Sequence, residues 1–270
     1  MSKKNVKIAV AGSAGRMGKM LVNVIDKHPN CSLVAATCHP KEIEIIGADA
    51  GIISGINKAN VAISSDPHQL LNGDVIIDFT SPESTINHSL LAVEKKIGHV
   101  IGTTGLSVDQ EKVIKKNSEK APIIYSANMS VGVNLLFSLV KKAVASIDDN
   151  WDIEILEMHH RNKVDAPSGT ALALGKVASD TKNIKFEKVS KLSREGKVGE
   201  RNTNEIGFAT LRGGSVVGDH SIILAHDDER IELTHKASNR KIYANGAVKA
   251  AIWCSQKEKG LFDMSKVLGL

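Results

Sequence analysis

Residues 6 to 28 read VKIAVAGSAGRMGKMLVNVIDKH, and this stretch decides the first half of the fold. VKIAVA is a short apolar run with the length of a buried strand. In the run after it, Met17, Met20, Leu21, Val24 and Ile25 recur at helical spacing over residues 16–28, and Pro29 lies just beyond. Between the two stands GSAGRMG, with Gly12, Gly15 and Gly18 three residues apart. An ordinary strand-to-helix turn needs one glycine. Three of them permit a tight turn and let backbone N–H groups approach a pyrophosphate at the positive end of a helix. The spacing departs from the strict G-x-G-x-x-G, since Ala14 falls between Gly12 and Gly15.

Working outward, apolar runs at 33–37, 75–79, 99–103 and 122–126 alternate with helix candidates at about 83–97 and 107–119. Alternation of this kind predicts a parallel sheet covered by helices, with ligands gathering at the carboxyl ends of the strands. Gly102-Thr103-Thr104 and Ser126-Ala127-Asn128-Met129 follow two of these strands and would face the nicotinamide end of a dinucleotide. An acidic residue at the end of the second strand would accept the ribose hydroxyls of NAD. Here the chain reads Thr37-Cys38-His39-Pro40-Lys41, with no carboxylate. His39, Lys41 and Arg16 offer positive charge nearby, and the balance leans toward NADP.

From about residue 130 the pattern changes. A long apolar helix at 131–147 leads into a strand at 151–160, and a helix follows at 169–181. A basic, glycine-containing loop at 194–200 precedes period-2 runs at 207–212, 220–225 and 230–235, joined by RGGSVVGD and HDDE turns. These predict an open mixed sheet in a second α+β domain. A last helix at about 243–258 is expected to return to the first domain. The predicted division is 1–130 with 241–270 for the dinucleotide-binding domain, and 131–240 for a substrate-binding and oligomerisation domain.

The second domain carries EMHHRNKVDAPSGTA, residues 157–171. His159 and His160 close an extended strand, so they should point to opposite sides and do different jobs. Asp165-Ala-Pro-Ser offers a turn with Ser168 as N-cap, and Gly169 and Thr170 open a helix whose free N–H groups suit a carboxylate. Lys163 adds a mobile charge able to pair with a carboxylate or give up a proton. Together they predict a small-anion site.

Composition narrows the classes. At 270 residues, 42% hydrophobic and 24% charged, the chain can bury a substantial core. No apolar run approaches the roughly 18 residues needed to span a bilayer, and no leader pattern opens the sequence, so the expected compartment is the cytosol. Cys31, Cys38 and Cys254 are widely spaced, which suggests neither disulfides nor a metal site. A net charge of +5 is scattered along helix faces, and aromatics form only 3% of the chain, too few for nucleic-acid stacking. A positive field that attracts a small anion is the remaining reading.

GSAGRMG, IDFTSPE (77–83), VIGTTG (100–105), ANMSVGVN (127–134), EMHHRNKVDAPSGTA, SREGKVGER (193–201), IGFATLRGG (206–214), ELTHKASNR (232–240) and ANGAVKAA (244–251) occur in this order over nearly the whole chain. The set closely resembles the 4-hydroxy-tetrahydrodipicolinate reductase family, of the diaminopimelate route to lysine. The resemblance implies a homotetramer with an N-terminal Rossmann domain. NADH or NADPH would deliver a hydride to C4 of a cyclic imine-type dicarboxylate as the 4-hydroxyl leaves as water. It further implies that His159 donates or accepts a proton, that Lys163 donates one, and that His160, Gly169 and Thr170 contact substrate. Cofactor contacts would fall on Gly12, Ser13, Ala14, Gly15, Arg16 and Met17, on Gly102, Thr103 and Thr104, and on Ser126, Ala127, Asn128 and Met129. Two positions depart from the family pattern. Cys38 stands where members often carry an acid, sometimes followed by Arg at the place of His39, and Ser81 stands where some carry Arg.

Two rival readings make different demands. A semialdehyde dehydrogenase needs a cysteine nucleophile, and none of the three cysteines is suitably placed. A catalytically silent NADP-binding regulator on the same fold should lack the His159 and Lys163 pair, which is present.

Overall fold

Val6, Ile8 and Val10 are buried in strand β1 (Val6–Ala11), and Leu21, Val24 and Ile25 of helix α1 (Arg16–Asp26) pack into the same cluster. This is the strand and helix that the opening periodicity predicts, with the helix two residues shorter at its end. The computed structural model describes residues 5–270. The chain continues through β2 (Cys31–Thr37), α2 (Ala50–Ile53), β3 (Ile63–Ser64), β4 (Val75–Asp78), α3 (Pro82–Lys95), β5 (Gly98–Ile101), α4 (Val108–Ser118) and β6 (Pro122–Tyr125). Ser107 closes a capping box with Gln110 at the start of α4, and Ser81 caps α3 ahead of Pro82. The expected strand at 99–103 ends at Ile101, so Gly102, Thr103 and Thr104 lie beyond it.

A second unit, Gly132–Arg240, follows. Its elements are α5 (Val131–Ala145, whose first residue belongs to the preceding unit), β7 (Asp152–His159), α6 (Gly169–Thr181), α7 (Phe186–Val189), β8 (Ser190–Lys191), β9 (Ile206–Arg212), β10 (Gly218–Ala225) and β11 (Arg230–Ala237). The sheet order is β11-β10-β7-β9-β8, with antiparallel pairing on the β10 side of β7 and parallel pairing on the β9 side. Its helix-covered face changes character along its length. Ile153 pairs with Leu224 and Ile206, and Ile155 with Ile222 and Phe208, all buried in one core cluster. The next row is Glu157 with His220 and Thr210, and beyond it His159 pairs with Arg212. The apolar core therefore ends in a row of titratable side chains. On the basic loop, Arg194 holds Glu154 through two 2.8 Å bonds.

The chain then returns to the first unit as α8 (Lys241–Cys254), β12 (Gly260–Phe262) and α9 (Met264–Leu268). Ala244, Ala247, Val248 and Ala251 of α8 enter the cluster built around β1. The sheet is wholly parallel, in the order β12-β6-β5-β4-β1-β2-β3. Its winding reverses between β4 and β1, the switch point at which doubly wound sheets take their ligands. Among the described residues, no helix is long and apolar enough to cross a membrane.

Candidate active site

In the first unit the loop after β1 is shaped by what its glycines exclude. Gly12 has φ +68°, and a Cβ there would stand 2.9 Å from Thr80 Cγ2. Gly15 is the N-cap of α1 with no side chain closing the helix end, so the first-turn N–H groups face outward toward any anion. Gly12 and Gly15 line a cavity of about 470 Å³ together with Cys38, His39, Thr80 and Ser81, which are the carboxyl ends of β1, β2 and β4 and the residues after them. Backbone N–H groups at a helix start and a pocket across the switch point suit the pyrophosphate and adenosine end of a dinucleotide.

The remaining predicted cofactor residues divide. Ala14, Arg16 and Met17 stay on the loop and first turn, with Arg16 exposed. Ser13 turns inward, and both its N–H and its hydroxyl donate to the Thr37 carbonyl, at 2.8 and 3.1 Å. Thr103 is buried, its hydroxyl accepting the Thr80 N–H (3.0 Å) and the Thr85 hydroxyl (2.9 Å). Gly102 lies under the Phe79 ring, Thr104 is exposed, and Ser126 Oγ donates to the Asn128 carbonyl at 3.0 Å. Ala127 is exposed and Asn128 half-buried, but Met129 is part of the core cluster, with its carbonyl packed over Gly246. The side chains of Ser13, Thr103 and Met129 are thus buried, and only their backbone is left to meet a ligand.

Two groups in this region went unread in the sequence. Asp78, fully buried at the end of β4, accepts from Thr80 Oγ1 (2.6 Å), Thr80 N (3.1 Å), His88 Nδ1 (2.8 Å) and His99 Nε2 (3.2 Å). Burial opposes its charge, but the two histidines outweigh that and keep the carboxyl ionised. Asp78 thereby fixes the turn that walls the pocket. Glu42 also lines the pocket, folding back so that Oε2 accepts the His39 N–H at 2.9 Å. The carboxylate absent from the end of β2 in the sequence is supplied four residues after Cys38.

In the second unit, β7 ends at His159, one residue before the predicted end, with His159 buried and His160 half-buried just beyond the strand. His159 Nδ1 lies 2.5 Å from Glu157 Oε2. Arg212 donates to both Glu157 oxygens at 2.9 Å, and the Ser168 N–H donates to Oε1 at 3.0 Å. Burial disfavours the Glu157 charge, yet the Arg212 and His159 bonds prevail and hold its pKa below the ordinary value. An ionised Glu157 only accepts, so the Nδ1 of His159 carries the hydrogen. Burial is also the main influence on His159 and leaves its pKa below normal, against the upward pull of Glu157 and with Lys163 and Arg212 adding to the fall. His220 packs edge-on to His159 with ring centroids 5.0 Å apart, and burial pushes its pKa down to about 4.

Lys163 follows on the next loop and binds both Asp165 oxygens, at 2.7 and 2.8 Å. His160 Nε2 accepts from Arg240 at 3.3 Å. Ser168 caps α6 as expected, accepting the Ala171 N–H at 3.2 Å. Gly169 is exposed at the helix start, and a Cβ there would meet nothing within 4 Å, so open space adjoins the N–H groups. Glu157, Arg212 and His220 were missed in the sequence. Glu157 was readable, because residues two apart on a strand share a face. Arg212 was not, since only the β7–β9 register brings it opposite His159.

A glycine-cradled pocket at the switch point of a doubly wound sheet in one unit, and His159 with Lys163 near a capped helix start in the other, suit a nicotinamide-nucleotide-dependent oxidoreductase. A model of the dihydrodipicolinate reductase N-terminus matches residues 6–129, and one of its C-terminus matches residues 132–268. The chain belongs to the dihydrodipicolinate reductase family. It is 48% identical, over 267 residues and 98% of each chain, to a 4-hydroxy-tetrahydrodipicolinate reductase of Afipia carboxidovorans. Its identity to the enzyme of the same name from Agrobacterium fabrum is 47%, over all of this chain and 98% of that one. Among solved structures, a dipicolinate-bound dihydrodipicolinate reductase from Paenisporosarcina sp. TG-14 superposes with a TM-score of 0.76 at 25% identity, covering 96% of this chain and 97% of that one.

Proposed function

We propose that this protein reduces 4-hydroxy-tetrahydrodipicolinate to tetrahydrodipicolinate, with loss of water, in the diaminopimelate route to lysine. NADH or NADPH, when bound at the glycine loop, supplies the hydride. Each turnover takes up a hydride and a proton and releases one water. The observation that carries the reading is the cluster at the end of the second unit's sheet, where His159 stands beside Lys163 and the Ser168-capped helix start. The N–H groups of Gly169 and Thr170 hold one ring carboxylate, and Lys163 and His160 face the other. His159 donates the proton that the reduced ring requires, and the negative charge of the substrate favours the imidazolium that must give it up. The test is a fresh condensation product of pyruvate and aspartate semialdehyde, with loss of reduced-nicotinamide absorbance followed for NADH and NADPH separately. No oxidation with either would overturn the assignment.

Open space at Gly169 permits a direct check of the carboxylate subsite. Gly169→Ala meets no protein atom, so thermal stability should hold while KM for the ring substrate rises by about 10-fold, since an added methyl crowds a hydrogen-bonded anion. An unchanged KM would remove Gly169 from the subsite.

The nucleotide preference turns on opposed charges at the pocket. His39 favours a 2′-phosphate, as the sequence reading does, whereas Glu42 repels it and suits ribose hydroxyls. The enzyme on this reading accepts both nucleotides. Glu42→Gln should tighten NADPH binding several-fold, by about 1 kcal/mol for one screened charge pair, and weaken NADH, whose ribose hydroxyls lose a charged acceptor. Titration of intrinsic nucleotide fluorescence reads both constants, and equal effects on the two would exclude Glu42 from the choice.

The protein works in the cytosol as a homotetramer. Support for assembly comes from the sheet face opposite the helices, where Leu156, Met158 and Ile223 are half-buried and Leu211 is 48% exposed. An apolar stripe of this kind on an open sheet suits burial against another copy. Sedimentation equilibrium distinguishes this from a monomer.

A further inference from the structure

We propose that Glu157 is a positioning residue for the proton donor. By accepting the Nδ1 hydrogen of His159 it leaves Nε2 for the substrate, and through the Ser168 N–H it ties that orientation to the helix start that receives the ring carboxylate. The inference rests on the reading of His159 as proton donor. Glu157 is 1% exposed and receives four donated hydrogens, two from Arg212, one from Ser168 and one from His159. A buried carboxylate must be compensated by donors, and Glu157 has two on each oxygen, so the charge is held and its acceptor sites are filled. The groups facing His159 are Glu157 on its own strand, Arg212 on β9, His220 on β10 and Lys163 on the following loop. Glu157 is the one carboxylate among them. The far side of the ring is kept clear by Gly218, whose Cβ would sit 2.9 Å from His159 Nε2.

Glu157→Gln isolates the effect. An amide has one accepting oxygen and one donating nitrogen in place of two acceptors. Oε1 receives two donors that cannot become acceptors, Arg212 Nη2 and the Ser168 N–H, whereas Oε2 receives one, Arg212 Nη1, beside a histidine that can, so the amide nitrogen falls toward His159 at the loss of the Nη1 bond. His159 must then accept at Nδ1 and carry its hydrogen on Nε2. It also loses the charge that supports its imidazolium.

The experiment is ¹⁵N NMR of the full chain with labelled histidine, without substrate, joined to pH profiles of kcat. Wild type is expected to show the Nδ1–H tautomer at His159, and Glu157→Gln the Nε2–H tautomer. In the variant, kcat should fall by about 10²-fold or more, since the wrong tautomer in a serine-protease His–carboxylate pair costs about 10⁴. The alkaline limb of kcat, where His159 loses its proton, should move to lower pH, while nucleotide affinity stays unchanged. A wild-type His159 with its hydrogen on Nε2 overturns the proposal without any variant, so failure of Glu157→Gln to fold does not shelter it. An unchanged tautomer and alkaline limb in a folded Glu157→Gln overturn it as well. Full turnover in His159→Ala, with the expected wild-type tautomer, overturns it through the reading beneath and identifies that reading as the fault.

Discussion

Replacement of His159 or of Lys163 by alanine is expected to lower kcat by about 10²-fold or more while leaving the affinity for NADH and NADPH nearly intact. The size follows from the role, because a positioned acid or base contributes about 10² to 10⁴ to a proton transfer. The selectivity follows from the fold. The glycine-loop pocket is lined by residues between Gly12 and His88, so neither substitution alters its walls. His159→Ala leaves Glu157 bonded to Arg212 and to the Ser168 N–H, so the buried carboxylate keeps most of its compensation and the variant should fold. Lys163→Ala frees Asp165, which is exposed and can return to water. Stopped-flow turnover and separate nucleotide titration divide kcat from binding, and near-normal turnover in the double variant would sink both assignments.

Gly18→Ala should have the other large effect, on stability and on nucleotide binding together. A Cβ at Gly18 would fall 2.1 Å from the Gly12 carbonyl oxygen and 2.6 Å from Ser13 backbone atoms. These neighbours are backbone and cannot rotate away, so α1 must lift off the loop it supports. Overpacking of this kind costs about 1 to 3 kcal/mol or more, which lowers Tm by roughly 2 to 4 °C for each kcal/mol in a chain near this size. The same displacement misplaces the first-turn N–H groups, and Kd for either nucleotide should rise by at least about 10-fold. Gly15→Ala makes a useful contrast, since its Cβ would meet only the Gly12 oxygen, at 3.3 Å. Calorimetry and titration that return wild-type values for Gly18→Ala would contradict the loop geometry.

The parts of the fold legible in sequence were those whose signal is local. VKIAVA, the spacing of Leu21, Val24 and Ile25, and the caps at Ser81, Ser107 and Ser168 act within a turn or two, so reading neighbours suffices. Strands β3, β8 and β12 escaped because two or three residues carry no periodicity. Their extended state is set by pairing, as where Gly260–Phe262 joins β6. The grouping of His159, His160, Lys163, Gly169 and Thr170 at one strand end and helix start was legible because the residues are close in sequence, and their types suit an anion and a proton. The inward turn of Ser13 and the burial of Met129 were not, because which way a residue faces depends on what packs behind it.

The sequence by itself determined a glycine-rich loop opening a parallel sheet, a mixed second sheet, and a His-His-Lys cluster at one strand end, since short-range sterics and chain proximity suffice for these. Only the tertiary structure decided who compensates whom: Arg212 clamps Glu157 across 55 residues, and Asp78 gathers two histidines. A buried charge must find its partner in space, and strand register, which no local pattern encodes, determines where that partner lies.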